Sequence, residues 1–449
     1  MSQSVPRLSL AARVFPVLAA VFAAALHSMA PTSGATAAPA TGLLAAPGEA
    51  LARAGLRLVV KNSTYGKYLA AGHAESVHDY ATAAELIAEV LAERPDDPEL
   101  LSRGHRLMAM AGRMEDAVRL ARHLLEVEPA DPEAQVVVAA HEIKMGAHEA
   151  AADRLEAIER SGANQLIVPL LRAWALAGAD ELEDGLDELE ALAEEGAFEV
   201  FAALHAGLIA DYAGDAEAAE EGYSRARGAA RGLPLRLVEA YGSYLSRAGR
   251  FDEAKAIMTA FLEQQPDDLL LEEARARLAA GRELAPMVSA PSDGVAEVLS
   301  SVARRLASEG ASAEAMPYAR MALDLRPDDP LSQLLLAEIL SNLGRTDDAL
   351  IAFEAVDRSS PYAWTARLNE AQTLETLDRM ADAVALLRRM VDERPERSDA
   401  AQALGNILRF NERFREAVKA YDVAIDRLDA IEQRHWRLLY ARGIALERS

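Results

Sequence analysis

Apolar and polar positions alternate with a helical period from about residue 64 to the end, and the pattern repeats. Prolines punctuate it: Pro95 to Pro129, Pro327 to Pro361 and Pro361 to Pro395 are each 34 residues apart. Full units begin near 64, 98, 132, 166, 200 and 235, then near 296, 330, 364 and 398. Each has two apolar-striped stretches of helical length joined by a short turn, which predicts a helix hairpin. One position in the first helix reads Ala71, His105, Ala139, Ala173, Gly207, Gly242, Ala303, Ala337, Ala371 and Gly405. Its counterpart in the second helix reads Ala83, Ala117, Ala151, Gly185, Ala219, Ala254, Ala315, Ala349, Ala383 and Ala417. Two helices approach closely only where side chains are small, so these positions mark the crossing within each hairpin. Larger residues four places on, such as Tyr223, Met258, Phe353 and Tyr421, fill the space beside it.

The punctuation has local causes. Gly112, Gly146, Gly214, Gly249, Gly310 and Gly344 fall in the turn within a hairpin, where a left-handed residue is required. Asp97-Pro98, Asp131-Pro132 and Asp329-Pro330 place an N-cap acceptor before a proline at the first helical position.

On these residues the chain resembles the tetratricopeptide-repeat (TPR) family over roughly 64–282 and 296–449. Taken with the N-terminus described below, it looks like the long exported TPR proteins of bacteria. The resemblance implies an all-α, right-handed superhelical solenoid of antiparallel helix hairpins, here in two arrays. Residues 64–282 are expected to hold six full repeats and one unpaired helix, and 296–449 four full repeats and a terminal helix A. Residues 283–295, with Pro286, Pro291 and Ser292-Asp293-Gly294, are read as the linker between them. Departures are the loss of the terminal proline at Ala163, Ala197, Arg231 and Asp429, and the scarcity of aromatic residues early in helix A.

The first thirty residues read as an export signal. Arg7 and Arg13 precede the apolar run Val14–Leu26, and Ser28-Met29-Ala30 and Ala35-Thr36-Ala37 offer small residues for cleavage. Residues 31–63 read as a leader. The expected location is the periplasm, with an uncleaved anchor in the inner membrane, facing the periplasm, as the alternative; only in that case is the membrane a partner. Composition narrows the chemistry further. Net charge is −24, from 47 basic and 71 acidic residues, which opposes binding to nucleic acid. The acidic excess lies mainly in the first array, which is expected to attract basic segments. There is no cysteine, hence no disulfide or thiolate chemistry. His141-Glu142 is followed by Met145 where a zinc site needs histidine, and the Pro-Asp-Asp pairs read as helix caps rather than metal ligands. No enzymatic activity, cofactor or metal is expected.

What the family offers is surface. Its members line a concave groove with helix A. At those places the first array has Ile167, Leu170, Trp174, Phe201, Leu204, Leu208 and Tyr212. These form either an apolar peptide groove or packing between repeats. The second array has Arg304, Glu338, Asn342, Gln372, Asn406, Arg409 and Arg437, which suit an extended backbone or a carboxylate, or simply a solvated groove. The expected function is a non-catalytic scaffold of the bacterial envelope that binds peptide segments or partner proteins in this groove. The alternative is an adaptor attached to a cell-wall or glycan-export enzyme complex. At the C-terminus, Trp436–Leu446 follows helix A with Gly443 at the small-residue place; the apolar stripe of Leu439, Ile444 and Leu446 is expected to stay partly open.

Overall fold

The computed structural model describes residues 63–265, 268 and 270–449; the proposed signal and leader up to residue 62 lie outside them. The described residues form helices and no strand. Ten hairpins follow one another, with first helices beginning at Thr64, Pro98, Pro132, Asn164, Glu199, Leu235, Pro291, Pro330, Ala363 and Asp399. The sixth hairpin is followed by the unpaired helix Glu272–Ala279, and the tenth by the terminal helix Trp436–Glu447. No helix among the described residues is long and apolar enough to cross a membrane.

The helix starts have the expected chemistry. Asp97, Asp131 and Asp329 each accept a backbone N–H three residues on, from Leu100, Ala134 and Ser332, with proline next in line. All six turn glycines take positive φ. In the remaining four hairpins the same place is held by His78, Asp180, Asp378 and Glu412, also at positive φ.

The hairpin crossings are closed by small residues. Every one of the ten small helix-B residues except Gly185 is alanine with no solvent exposure. A methyl group on Gly185 would lie 3.0 Å from the Ala173 carbonyl oxygen. The tightest approach joins two glycines in the fifth hairpin: a methyl on Gly222 would meet the Gly207 backbone nitrogen at 2.4 Å. Gly207 and Gly405 also pass under a helix-B tyrosine, Tyr223 and Tyr421, both wholly buried. In this register a helix-A glycine makes room for a helix-B ring.

The one departure, His105, is buried at 1% exposure. Its neighbour Gly104 supplies the close approach instead, facing Leu91 and Leu120. Burial pushes the His105 imidazolium down from 6.5 to about 4, against the pull of Asp131 and helped by Arg106. The folded pKa lies below the unfolded one, so as pH falls the unfolded chain takes up its proton first. Stability is therefore full above pH 6.5 and is lost progressively down to pH 4. The loss below that is about 3 kcal/mol at 1.36 kcal/mol per unit. Urea unfolding of the first unit at pH 7 and pH 4.5 should show this loss, and His105→Ala should abolish most of it.

The chain divides into two compact units. The first takes residues 63–75, 80–111 and 115–229; the second takes 230–449 with the turn residues 76–79 and 112–114. The boundary thus follows the fifth hairpin, in the stretch with Gly232 and Pro234. The helix-free segment from 283 to 290 lies inside the second unit and is anchored there. The Ser243 hydroxyl donates to the Ala285 carbonyl (2.6 Å), and the Ser246 hydroxyl accepts the Leu284 N–H (3.0 Å). The seventh first-helix then begins at Pro291, five residues before its expected start. Asp293 fixes that start by accepting the N–H groups of Ser289 and Ala290.

A buried ion network lies in the second unit. Arg236 donates to both carboxylate oxygens of Glu297, at 2.9 Å through Nε, and to Glu239 at 2.7 Å. The Tyr362 hydroxyl donates to Glu239 at 3.2 Å. Arg236 and Glu297 keep only 12% and 3% of their side-chain exposure. Burial lowers the pKa of Arg236, but Glu297 and Glu239 overcome this and hold it well above its usual value. Burial raises Glu239 against the opposing pull of Arg236. Burial and Glu239 also raise the Tyr362 phenol. The network ties the sixth hairpin to the seventh and the ninth.

Candidate protein-binding surfaces

The apolar stripe of the first unit lies on two neighbouring A helices, Asn164–Gly178 and Glu199–Ala213. Ile167, Leu170, Trp174, Leu204 and Leu208 are buried, Trp174 with no exposure at all. Trp174 donates its indole N–H to His205 Nδ1 at 3.0 Å, with the two rings edge to face. Its other flank meets Tyr212 at 6.4 Å between centroids. These five therefore take the packing alternative: neighbouring A helices interlock through them, and His205 on the next A helix gives the inward-turned indole its acceptor. Only Phe201, half-buried, and Tyr212, 38% exposed, reach solvent.

The polar positions of the second unit are more open. Asn342, Gln372 and Arg437 are exposed, and Asn406 and Arg409 half-buried. Gln372 donates to Glu375 at 2.6 Å. Asn406 and Arg409 belong to one local arrangement. The Tyr421 hydroxyl, having passed under Gly405, donates to Asn406 Oδ1 at 2.9 Å and accepts from Arg409 Nε at 3.2 Å. Tyr223 does the same in the fifth hairpin, donating to Asp211 at 3.3 Å. Glu338 accepts from Asn369 at 3.4 Å; burial raises its pKa, and Arg304 nearby lowers it.

Two further surfaces stand out: one where the terminal stripe was expected to stay partly open, and one that the periodic reading did not single out. The first is the C-terminal end. Trp436, Tyr440 and Phe410 are 57%, 65% and 66% exposed, and Leu439 and Leu446 are 39% and 46% exposed. Leu438 and Ala445 anchor the helix beneath them. Nothing lies within 4 Å of a methyl placed on Gly443, whereas Gly405 is covered by Tyr421. Arg437 and Arg409 stack over Trp436 and Phe410. The second is a cleft of about 550 Å³ beside the ninth and tenth hairpins, lined by Trp364 and four arginines among other groups. The sequence signal for it was there in Trp364 and the arginine-rich junction Arg394–Arg397, but neither falls at a groove position. Among the described residues no group of three or more His, Asp or Glu side chains is placed to hold a metal ion.

Residues 69–140 and 334–398 match models of the tetratricopeptide repeat. With the ten hairpins between Thr64 and Asp426, this makes the chain a member of the tetratricopeptide-repeat family. Such repeats serve in general as non-catalytic interaction scaffolds, and TPR proteins bind other proteins or peptides. No curated protein matches the sequence. Among solved structures, the chain is similar to MamA of Desulfovibrio magneticus RS-1, at 21% identity over 34% of this chain and 90% of that one, with a TM-score of 0.28. It is similar to a tetratricopeptide repeat protein of Parabacteroides merdae, at 12% identity over 62% and 97%, with a TM-score of 0.30. Yeast Tom70 is 13% identical over 88% and 96%, with a TM-score of 0.29. Scores this low add nothing to the repeat matches.

Proposed function

We propose that this protein is a non-catalytic scaffold of the bacterial envelope that holds partner-protein segments on the helix-A face of its second unit. The observation that carries the reading is the contrast between the units. In the first, five of the seven helix-A stripe residues are consumed by packing. In the second, Asn342, Gln372 and Arg437 stand exposed at the corresponding places. Amide and guanidinium groups at helical spacing hydrogen-bond an extended backbone without demanding one side-chain sequence. The envelope location rests on the Arg7 to Ala37 segment alone.

Affinity capture from envelope fractions tests the binding, using the mature chain and a variant with Asn342, Gln372 and Arg437 replaced by alanine. The variant is expected to melt normally and lose the partner; retention of the partner removes this face from the account. Mass spectrometry of the exported protein is expected to find an N-terminus between about 31 and 40, as small-residue cleavage sites require. An intact Met1 in the membrane fraction replaces the periplasmic assignment with the anchored one.

A further inference from the structure

The cleft beside the ninth and tenth hairpins has two walls of opposite charge. One is built by the repeats: Arg358 from the loop before the ninth hairpin, Trp364 and Arg367 from its first helix, and Arg394 and Arg397 from the junction with the tenth. Its carboxylates are Glu393 and Asp399, so four arginines face two acids. The other wall comes from the segment that carries the unpaired helix, with Asp268, Glu272 and Glu273 around Leu270. All of these residues belong to the second unit.

The repeat wall is held in shape from within. Arg397 stacks on the Trp364 ring at 4.3 Å, and Arg367 lies over it at 5.9 Å. The Trp364 indole donates to Asp399 at 2.9 Å, and Asp399 also pairs with Arg397. Arg367 is paired with Glu393. Trp364, Arg397 and Arg367 are thus committed to one another, as a platform. Arg394 is different. It reaches across the cleft to Glu272 at 2.8 Å, and pairs with Glu396 on its own side. Both Arg394 and Glu272 remain about two-fifths exposed, at 40% and 43%. Arg358, 46% exposed, pairs with Glu370.

Here four arginines gather round one indole in a chain of net charge −24. Arginine forks and an indole plane suit carboxylates carried on a segment with some apolar surface. The acidic segment of this same chain has that chemistry, and it is seated opposite with about 550 Å³ left between the walls. A tethered occupant acts at an effective concentration in the millimolar range, enough to compete without binding tightly.

We propose that the Arg358–Trp364–Arg367–Arg394–Arg397 wall is a docking site for an acidic, leucine-containing segment of a partner protein, and that the chain's own Asp268–Glu273 segment competes for it. This rests on the scaffold reading and adds a second site, at the start of the ninth hairpin's first helix and distinct from Asn342, Gln372 and Arg437, with a defined partner chemistry. The partner's carboxylates replace Glu272 on Arg394, and its apolar side chains enter the space above Trp364.

The test uses the full mature chain and a fluorescein-labelled peptide with the sequence of residues 265–275, read by anisotropy. The control peptide carries amides in place of the carboxylates at 268, 272 and 273. Wild type is expected to bind the acidic peptide weakly, because its own segment competes. The triple variant Asp268→Asn, Glu272→Gln, Glu273→Gln is expected to bind it at least tenfold more tightly, and raised salt to reverse the gain. Adding Arg394→Ala should return affinity to the wild-type level or below. These substitutions involve side chains at the open cleft, and matching melting curves establish that the fold is kept. Equal affinity of wild type and triple variant, or equal binding of the amide peptide, overturns the proposal. Capture of an envelope partner, run in parallel, separates the two readings: a retained partner with no peptide binding defeats the cleft alone.

Discussion

Replacing Trp174 by alanine is expected to cost the first unit about 3–5 kcal/mol, the usual range for deleting a buried aromatic ring. The indole has no solvent exposure, and Ile167, Leu170 and Leu208 on the same two helices are buried with it. Truncation leaves a cavity at the contact between the fourth and fifth hairpins. It also removes the hydrogen bond to His205. Trp174→Phe separates the two contributions, because it keeps most of the ring and forfeits the hydrogen bond, at roughly 1 kcal/mol. Urea unfolding followed by circular dichroism measures both. A Trp174→Ala variant with wild-type stability but impaired partner capture would restore the groove reading of this stripe.

Arg236→Met is expected to be as damaging in the second unit, by about 3–5 kcal/mol at neutral pH, because it strands buried carboxylates without their cation. Glu297 is 3% exposed, and Glu239 already has a pKa raised by burial. Without the guanidinium the Glu239 carboxyl moves further up. The folded variant then binds protons more readily than its unfolded chain. Its deficit is fully present above the raised folded pKa, and shrinks as pH falls through it towards the unfolded value. Melting curves at pH 8 and pH 5 check the sign: the gap between variant and wild type should narrow at pH 5. A gap that widens on acidification would mean that the carboxylates are not the stranded groups.

The sequence made the hairpins legible to within a few residues because each repeat packs on its neighbour through the same positions. Small residues at the crossing and capped prolines at the helix start recur every 34 residues or so, and recurrence is visible in one chain. The seventh repeat started early because Asp293 caps a proline-led turn that belongs to no other repeat. The candidate sites were harder to read. Groove position alone could not tell that Trp174 turns inward, since that depends on a histidine acceptor one repeat away. Arg236, Glu239 and Tyr362 meet over a separation of 123 residues, and Arg394 meets Glu272 over 122. Contacts that skip repeats occur once each, so they leave no periodic trace.

Those skipping contacts change what kind of material the second unit is. An array in which every hairpin touches only the next behaves as a spring: pulled at its ends it lengthens by small rotations at each junction, and it yields one repeat at a time. The Tyr362–Glu239 and Arg394–Glu272 pairs run across such a spring like struts between distant coils. Extension must break them before the junctions can rotate. Tension on the second unit should therefore meet a stiff first response and then an abrupt release, while a strut-free array gives way smoothly from the start.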